Sequence, residues 1–213
     1  MQYYKLNNYL FMKNPIYIVS DNHFSMDENN PNEIDRREKL FQVFNKIKKN
    51  KKGTLIIGGD FFDYWFEYKY VIPHGYDSLI QSLKDLSNHG IEIHYVLGNH
   101  DYWDFGYLNK ECNIIVHKQD LDFNLNDKIL LTHGDGLLKN DFGYKILKKI
   151  IRHPVFISLY KLLPPSFTCK LAQKISKSSS DYNHHDKYID TIKKDMLEFS
   201  KKKWKEGYDT VLI

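Results

Sequence analysis

Four apolar runs in this chain each lead into a side chain able to bind metal, and few folds satisfy that pattern. "IYIVS" is followed by Asp21 and His23, "LIIGG" by Asp60, "HYVLG" by Asn99 and His100, and "KILLT" by His133. The runs are short and largely uncharged, as strands buried on both faces are. Between them, "NEIDRREKLFQVFNKIKK" sets Leu40, Phe41, Phe44 and Ile47 at helical spacing, with Asn32 as the expected cap. "YDSLIQSLKDLSNHG" does the same with Leu79, Ile80, Leu83 and Leu86 and stops at Gly90. Strands alternating with helices predict an α/β sandwich, whose ligands gather at the carboxyl ends of the strands. A lone Asp or His after a strand is ordinarily a cap or a core residue, whereas four such ends together point to one site.

The donors at those ends are carboxylate, imidazole and amide oxygen, with no thiolate. That set suits manganese, iron or zinc in five or six coordination better than a closed structural zinc site. Asp60, central in the group, has two oxygens with which to bridge two ions. A pair of ions roughly 3.5 to 4 Å apart holds a phosphate oxygen and brings the pKa of a bound water toward about 7. The chemistry implied is hydrolysis of a phosphate ester or anhydride.

With 213 residues, 42% hydrophobic and 15% aromatic, the chain can bury one sizeable core with a small appendage. No run approaches the roughly eighteen uncharged apolar residues of a membrane span, and "MQYYKLNNYLFMKNP" has neither an apolar h-region nor a cleavage site, so a cytoplasmic protein is expected. Cys112 and Cys169 are unpatterned and read as free thiols. The net charge of +4 conceals an asymmetry, because Gly136 to Ser180 holds nine Lys and Arg against the single acid Asp141. This block reads as three short basic, apolar helices broken at Pro154 and at Pro164 with Pro165, an inserted cap suited to an anionic partner. The expected division is a core over 1–135, a cap over 136–183, and a return helix and strand of the core over 184–213.

"DNH", "GDFFD", "GNHD" and "THGD", in this order and spacing, resemble the calcineurin-like metallophosphoesterase superfamily. The resemblance implies a four-layer α/β sandwich with an inserted helical cap and a dinuclear centre. Asp21, His23 and Asp60 would hold one ion and Asp60, Asn99 and His133 the other. His100 would act as electrophile or proton donor, with Asp101 orienting its ring.

"HGDG", then "NDFGYK" and a basic cap broken by "RHP", is further similar to the UDP-2,3-diacylglucosamine diphosphatases of lipid A biosynthesis. That likeness implies cleavage of the pyrophosphate of an acylated sugar nucleotide to UMP and 2,3-diacylglucosamine 1-phosphate. It implies two divalent ions, commonly Mn2+, and a peripheral place on the anionic inner-membrane surface. Asp141, Ser179 and Asn183 would contact the substrate. Some members carry Arg where His100 stands. The family pattern also places G-H-x-H, with two more ligands, after the strand at which this chain stops, so the sequence reads as truncated at its C-terminus. Weakened metal binding and little turnover are expected of it as written, with His184 and His185 exposed in a polar hinge rather than substituting.

The alternatives are another metallophosphoesterase, such as a nucleotide phosphodiesterase or nuclease, and an inert membrane-surface module. The basic charge lies among Leu, Ile and Phe rather than beside stacking aromatics, which favours a lipid and leaves no nucleic acid expected. In "GDFFDYWFEY", Phe61 and Phe62 are expected in the core and Asp63 in support of a histidine. Trp65, Phe66 and Tyr68 are expected to line the mouth beneath the cap.

Overall fold

The computed structural model describes residues 10–68, 71–165, 167–168 and 186–213. It divides into two units, one running to His133 and resuming over Tyr208–Leu212, the other comprising Gly134–Gly207 with Ile213.

The first unit contains two four-stranded sheets. In one, β2 (Ile16–Val19), β3 (Thr54–Ile57), β4 (Glu92–Val96) and β5 (Ile115–His117) lie side by side in that order, all parallel. The other runs β1 (Leu10–Phe11), β6 (Leu121–Asn124), β7 (Lys128–Leu131) and β8 (Thr210–Leu212), with only β6 and β7 antiparallel. Met12, Ile56, Val96, Leu121, Phe123 and Leu131 pack into one core cluster fed by both sheets. Because the pleat alternates, Leu55 and Ile57 face the opposite way from Ile56. The crossovers α1 (Pro31–Lys49) and α2 (Asp77–Asn88) cover that side, and a short α3 (Tyr107–Cys112) precedes β5. This is the mixed α/β architecture that the strand and helix pattern predicts.

The cap of α1 differs from expectation. Asn30, not Asn32, is the cap: its side-chain oxygen accepts from Asn32 N at 3.0 Å, and Pro31 takes the first helical position, where its missing N–H costs nothing. One turn on, Arg37 and Glu33 form a buried pair 2.9 Å apart, and Arg37 also donates to Gly75 O at 2.9 Å and Ser78 Oγ at 3.2 Å. Removing one partner of such a pair leaves a buried charge alone. Arg37→Met is therefore expected to destabilise folding by about 3–5 kcal/mol in urea unfolding. A loss below about 1 kcal/mol would contradict that role.

At the β4–β5 edge, His94 Nε2–H donates to Glu92 Oε1 and His117 Nε2–H donates to His94 Nδ1, both at 2.9 Å, a chain that requires the His94 ring to be neutral. Burial lowers the pKa of His94 against the pull of Glu92. Burial and the adjacent His94 bring His117 from 6.5 down to about 4. Below 6.5 the unfolded chain takes up protons that the folded rings refuse, so the pair's contribution is complete above that pH and is lost as pH falls toward about 4. His117→Leu is expected to flatten the fall of the urea midpoint over this window, and an unaltered slope would contradict the chain.

In the second unit, α4 (Phe142–Ile151) and α5 (Pro154–Tyr160) contain no buried residue. Asp141 caps α4, accepting from Tyr144 N at 3.1 Å. Asp135 gathers Lys148 Nζ at 2.8 Å, Arg152 Nη2 at 2.9 Å and the Tyr144 hydroxyl at 3.1 Å. The long α6 (Asp186–Lys205) groups with these helices, whereas the expected division returned it to the core with the last strand. The physical reason is a local tie: Asp195 accepts from Lys139 N at 2.9 Å and Glu198 pairs with the Lys139 ammonium. The third cap helix expected after Pro165 falls largely outside the described residues. No described helix is long and apolar enough to cross a membrane.

Candidate metal centre

The loops that follow β2 and β3 continue the pairing of those strands past their ends. Gly58 N donates to Val19 O at 2.8 Å, Asp21 N to Gly59 O at 3.1 Å, His23 N to Asp60 O at 2.8 Å and Phe24 N to Phe61 O at 2.9 Å. This zipper sets Asp21, His23 and Asp60 side by side, each in left-handed backbone with φ of 51°, 45° and 48°. Such a conformation costs a non-glycine residue on the order of 1–2 kcal/mol, and the zipper holds it in place. Arg36, projecting from α1, adds a further tie through donation to Asn22 O and, at 3.5 Å, to His23 O.

The β4 loop joins when His100 N donates to Asp60 Oδ1 at 2.8 Å. The approach leaves no slack: a Cβ on Gly98 would stand 2.1 Å from Asp60 Oδ1, and one on Gly59 would stand 2.5 Å from His133 Nδ1. Around Asp60, which is 3% exposed, Oδ2 lies 3.2 Å from His133 Nε2 and 3.6 Å from His23 Nε2. Asn99 Oδ1 lies 3.2 Å from the same His133 nitrogen.

All five residues expected as ligands therefore meet around Asp60, and two triads of His and Asp can be drawn among them and His100. Donor atoms of His23, Asp60 and His100 fall within 4.8 Å of one another, as do those of Asp21, Asp60 and His133. Asp21 thus stands with His133, its carboxylate accepting from Ser20 Oγ at 2.6 Å. His100, expected as the electrophile, stands beside His23 with ring centroids 4.6 Å apart, edge to face.

Asp101 does not orient the His100 ring. Its carboxylate is fully buried and accepts from Phe61 N at 2.9 Å, Gly98 N at 2.7 Å and the Tyr95 phenol. The ring is oriented instead by Asp63, whose backbone carbonyl accepts from His100 Nδ1–H at 2.6 Å. A backbone acceptor leaves no mark in sequence, and neither Tyr95 nor Arg36 belongs to a strand-end motif. Trp65, Phe66 and Tyr68 do not line an open mouth either, being 0%, 2% and 8% exposed. Donation from Trp65 N to His100 O at 2.9 Å draws this segment against the β4 loop, and Phe62 stacks on Trp65 at 4.7 Å. Phe61 and Phe62 are core residues as expected. Ser179, Asn183, His184 and His185 lie outside the described residues.

The electrostatics suit a cation. Burial raises the Asp60 pKa but is overcome by His133 and His100, so the carboxylate is held below its usual range. For His133, burial acts downward and is outweighed by Asp60, leaving it at about 9. The group thus draws a proton where no metal is present, and a metal ion taking that place displaces it. His133 Nδ1–H donates to Gly58 O at 3.1 Å, so Nε2 is the nitrogen that would coordinate a metal. Burial and the Asp60 charge push Asp101 up to about 6.

The model of the calcineurin-like phosphoesterase family matches residues 14–194. The chain belongs to that family. The phosphoesterase is 36% identical over 171 residues to the UDP-2,3-diacylglucosamine hydrolase of Porphyromonas gingivalis, covering 79% of this chain and 64% of that protein. It is 28% identical to the enzyme of the same name from Histophilus somni, covering 85% of this chain and 76% of the relative. It is 32% identical to that of Pseudomonas syringae pv. tomato, covering 77% and 64%. The chain therefore spans slightly less than two thirds of the length of two of these relatives. Calcineurin-like phosphoesterases bind divalent metals, and the two donor groups sharing Asp60 are where this one would hold its metal. Because Gly98 admits no Cβ beside Asp60, Gly98→Ala is expected to weaken Mn2+ binding at least about tenfold in direct titration. Unchanged affinity would contradict the crowding described.

Proposed function

We propose that this phosphoesterase hydrolyses the pyrophosphate of UDP-2,3-diacylglucosamine, giving UMP and 2,3-diacylglucosamine 1-phosphate in lipid A biosynthesis. The observation that carries the reading is the donor cluster around Asp60, found in a chain whose relatives are named for that substrate. Two divalent ions, manganese by first choice and iron or zinc otherwise, would supply an activated water and neutralise phosphate charge when bound. Asp60 would serve both ions, with Asp21, His23, Asn99 and His133 as further ligands. His100, its Nδ1–H given to Asp63 O, keeps Nε2 available to bind metal or to exchange a proton with a phosphate oxygen. Asp101 acts by holding the loop that carries His100.

The character of the second unit supports an acylated, anionic substrate. Phe142, Ile146, Leu147, Ile150, Val155 and Leu159 are exposed along α4 and α5. Gly136, Lys145, Lys148, Lys149 and Arg152 line a cavity of about 410 Å³. Apolar faces flanked by cations suit acyl chains and phosphate, and equally an anionic inner-membrane surface on which a peripheral cytoplasmic enzyme meets its substrate. Asp141, Ser179 and Asn183 are proposed to contact the sugar nucleotide.

Purified protein supplied with Mn2+ tests the reading. UMP release from UDP-2,3-diacylglucosamine is expected with kcat/KM at least about 100-fold above that for an unacylated UDP-sugar, since buried acyl methylenes contribute about 0.8 kcal/mol each. Equal rates on both, or cleavage of bis-p-nitrophenyl phosphate alone, would contradict the substrate.

A further inference from the structure

We propose that Tyr95 is a positioning residue for the metal centre, its phenol fixing the carboxylate that spaces the Asp60 loop from the Asn99–His100 loop. The inference rests on the metal-dependent reading of the site. Tyr95 lies near the end of β4, outside every strand-end motif, and its side chain is fully buried.

Asp101 accepts three hydrogen bonds, and each donor comes from a different part of the scaffold. Phe61 N belongs to the residue after Asp60, Gly98 N to the residue before Asn99, and the third donor is the Tyr95 hydroxyl on the strand itself. Oδ1 serves Gly98 while Oδ2 serves Phe61 and Tyr95, so rotating the carboxylate breaks the tie between the loops. Two of the donors are backbone groups that move with those loops and cannot themselves fix the rotation. The phenol stands on the sheet and does fix it. Its ring is held in turn by edge-to-face packing with Phe61, centroids 6.4 Å apart.

The spacing matters because the gap between the loops has no slack. His100 N reaches Asp60 Oδ1 at 2.8 Å, and a Cβ on Gly98 would stand 2.1 Å from that same oxygen. A shift of a few tenths of an ångström at Asp101 passes directly to Asp60 against Asn99 and His100, on both donor groups.

Tyr95→Phe removes one oxygen and keeps the packing. Tyr17→Phe is the control: Tyr17 stands on β2 of the same sheet, and its hydroxyl accepts from the Asn50 side chain beyond the end of α1, away from both donor groups. Direct Mn2+ titration is expected to show affinity weakened roughly tenfold in Tyr95→Phe and altered less than about twofold in Tyr17→Phe. With the acylated substrate, kcat should fall roughly tenfold with KM within about twofold of wild type. In a cycle with Asp101→Asn, the losses of Mn2+ affinity should be non-additive. Wild-type Mn2+ affinity in Tyr95→Phe, equal losses in both phenylalanine variants, or full additivity with Asp101→Asn would each overturn the proposal. Failure of the wild-type protein to bind Mn2+ would instead remove the reading on which it rests.

Discussion

The Asp60 carboxylate sits in left-handed backbone with 3% of its surface exposed, against imidazole nitrogens of His133 and His23 and the amide of His100. A buried charge is tolerated only when it is paired and hydrogen-bonded. Much of the surrounding structure supplies those partners. The zipper between the β2 and β3 loops keeps Asp60 in its strained conformation beside Asp21 and His23. Gly59 and Gly98 let His133 and the β4 loop come close enough to share it. Asp101, buried behind them, keeps the two loops at one distance. A proton raised onto His133 answers the charge in part, and a divalent ion would answer it fully.

The second unit contributes surface of another kind. Its described helices α4 and α5 bury nothing, and their exposed Leu, Ile, Val and Phe stand among Lys and Arg. Apolar side chains left in water along a helix face are costly, and the acylated, anionic substrate proposed above would cover them. Among the described residues, Asp135 and Asp195 tie this unit together through Lys148, Arg152 and Lys139.

Much of this was legible in the sequence. The strand ends, both crossover helices and all six metal-competent residues come from short-range pattern: apolar runs, helical periodicity and polar residues where runs stop. What was not legible depends on three-dimensional approach. Asn30 caps α1 in place of Asn32 because Pro31 fixes where the helix starts. His100 is oriented by a carbonyl, a group every residue carries, whereas the family resemblance points to the Asp101 side chain. The pairing of Asp21 with His133 needs the relative rotation of two loops. Sequence does not tell that Trp65, Phe66 and Tyr68 are buried, because aromatic residues after a strand look the same whether they pack inward or face a ligand. The β4 loop, by pairing with Trp65, decides that they pack inward.

The central claim is that one carboxylate serves both donor groups, and Mn2+ binding stoichiometry tests it most directly. Titration of the wild-type protein, Asp60→Asn, His23→Ala and His133→Ala should give two ions for the wild type, one for each histidine variant and none for Asp60→Asn at the same free Mn2+. An Asp60→Asn protein that still binds one ion as tightly as the histidine variants would contradict it.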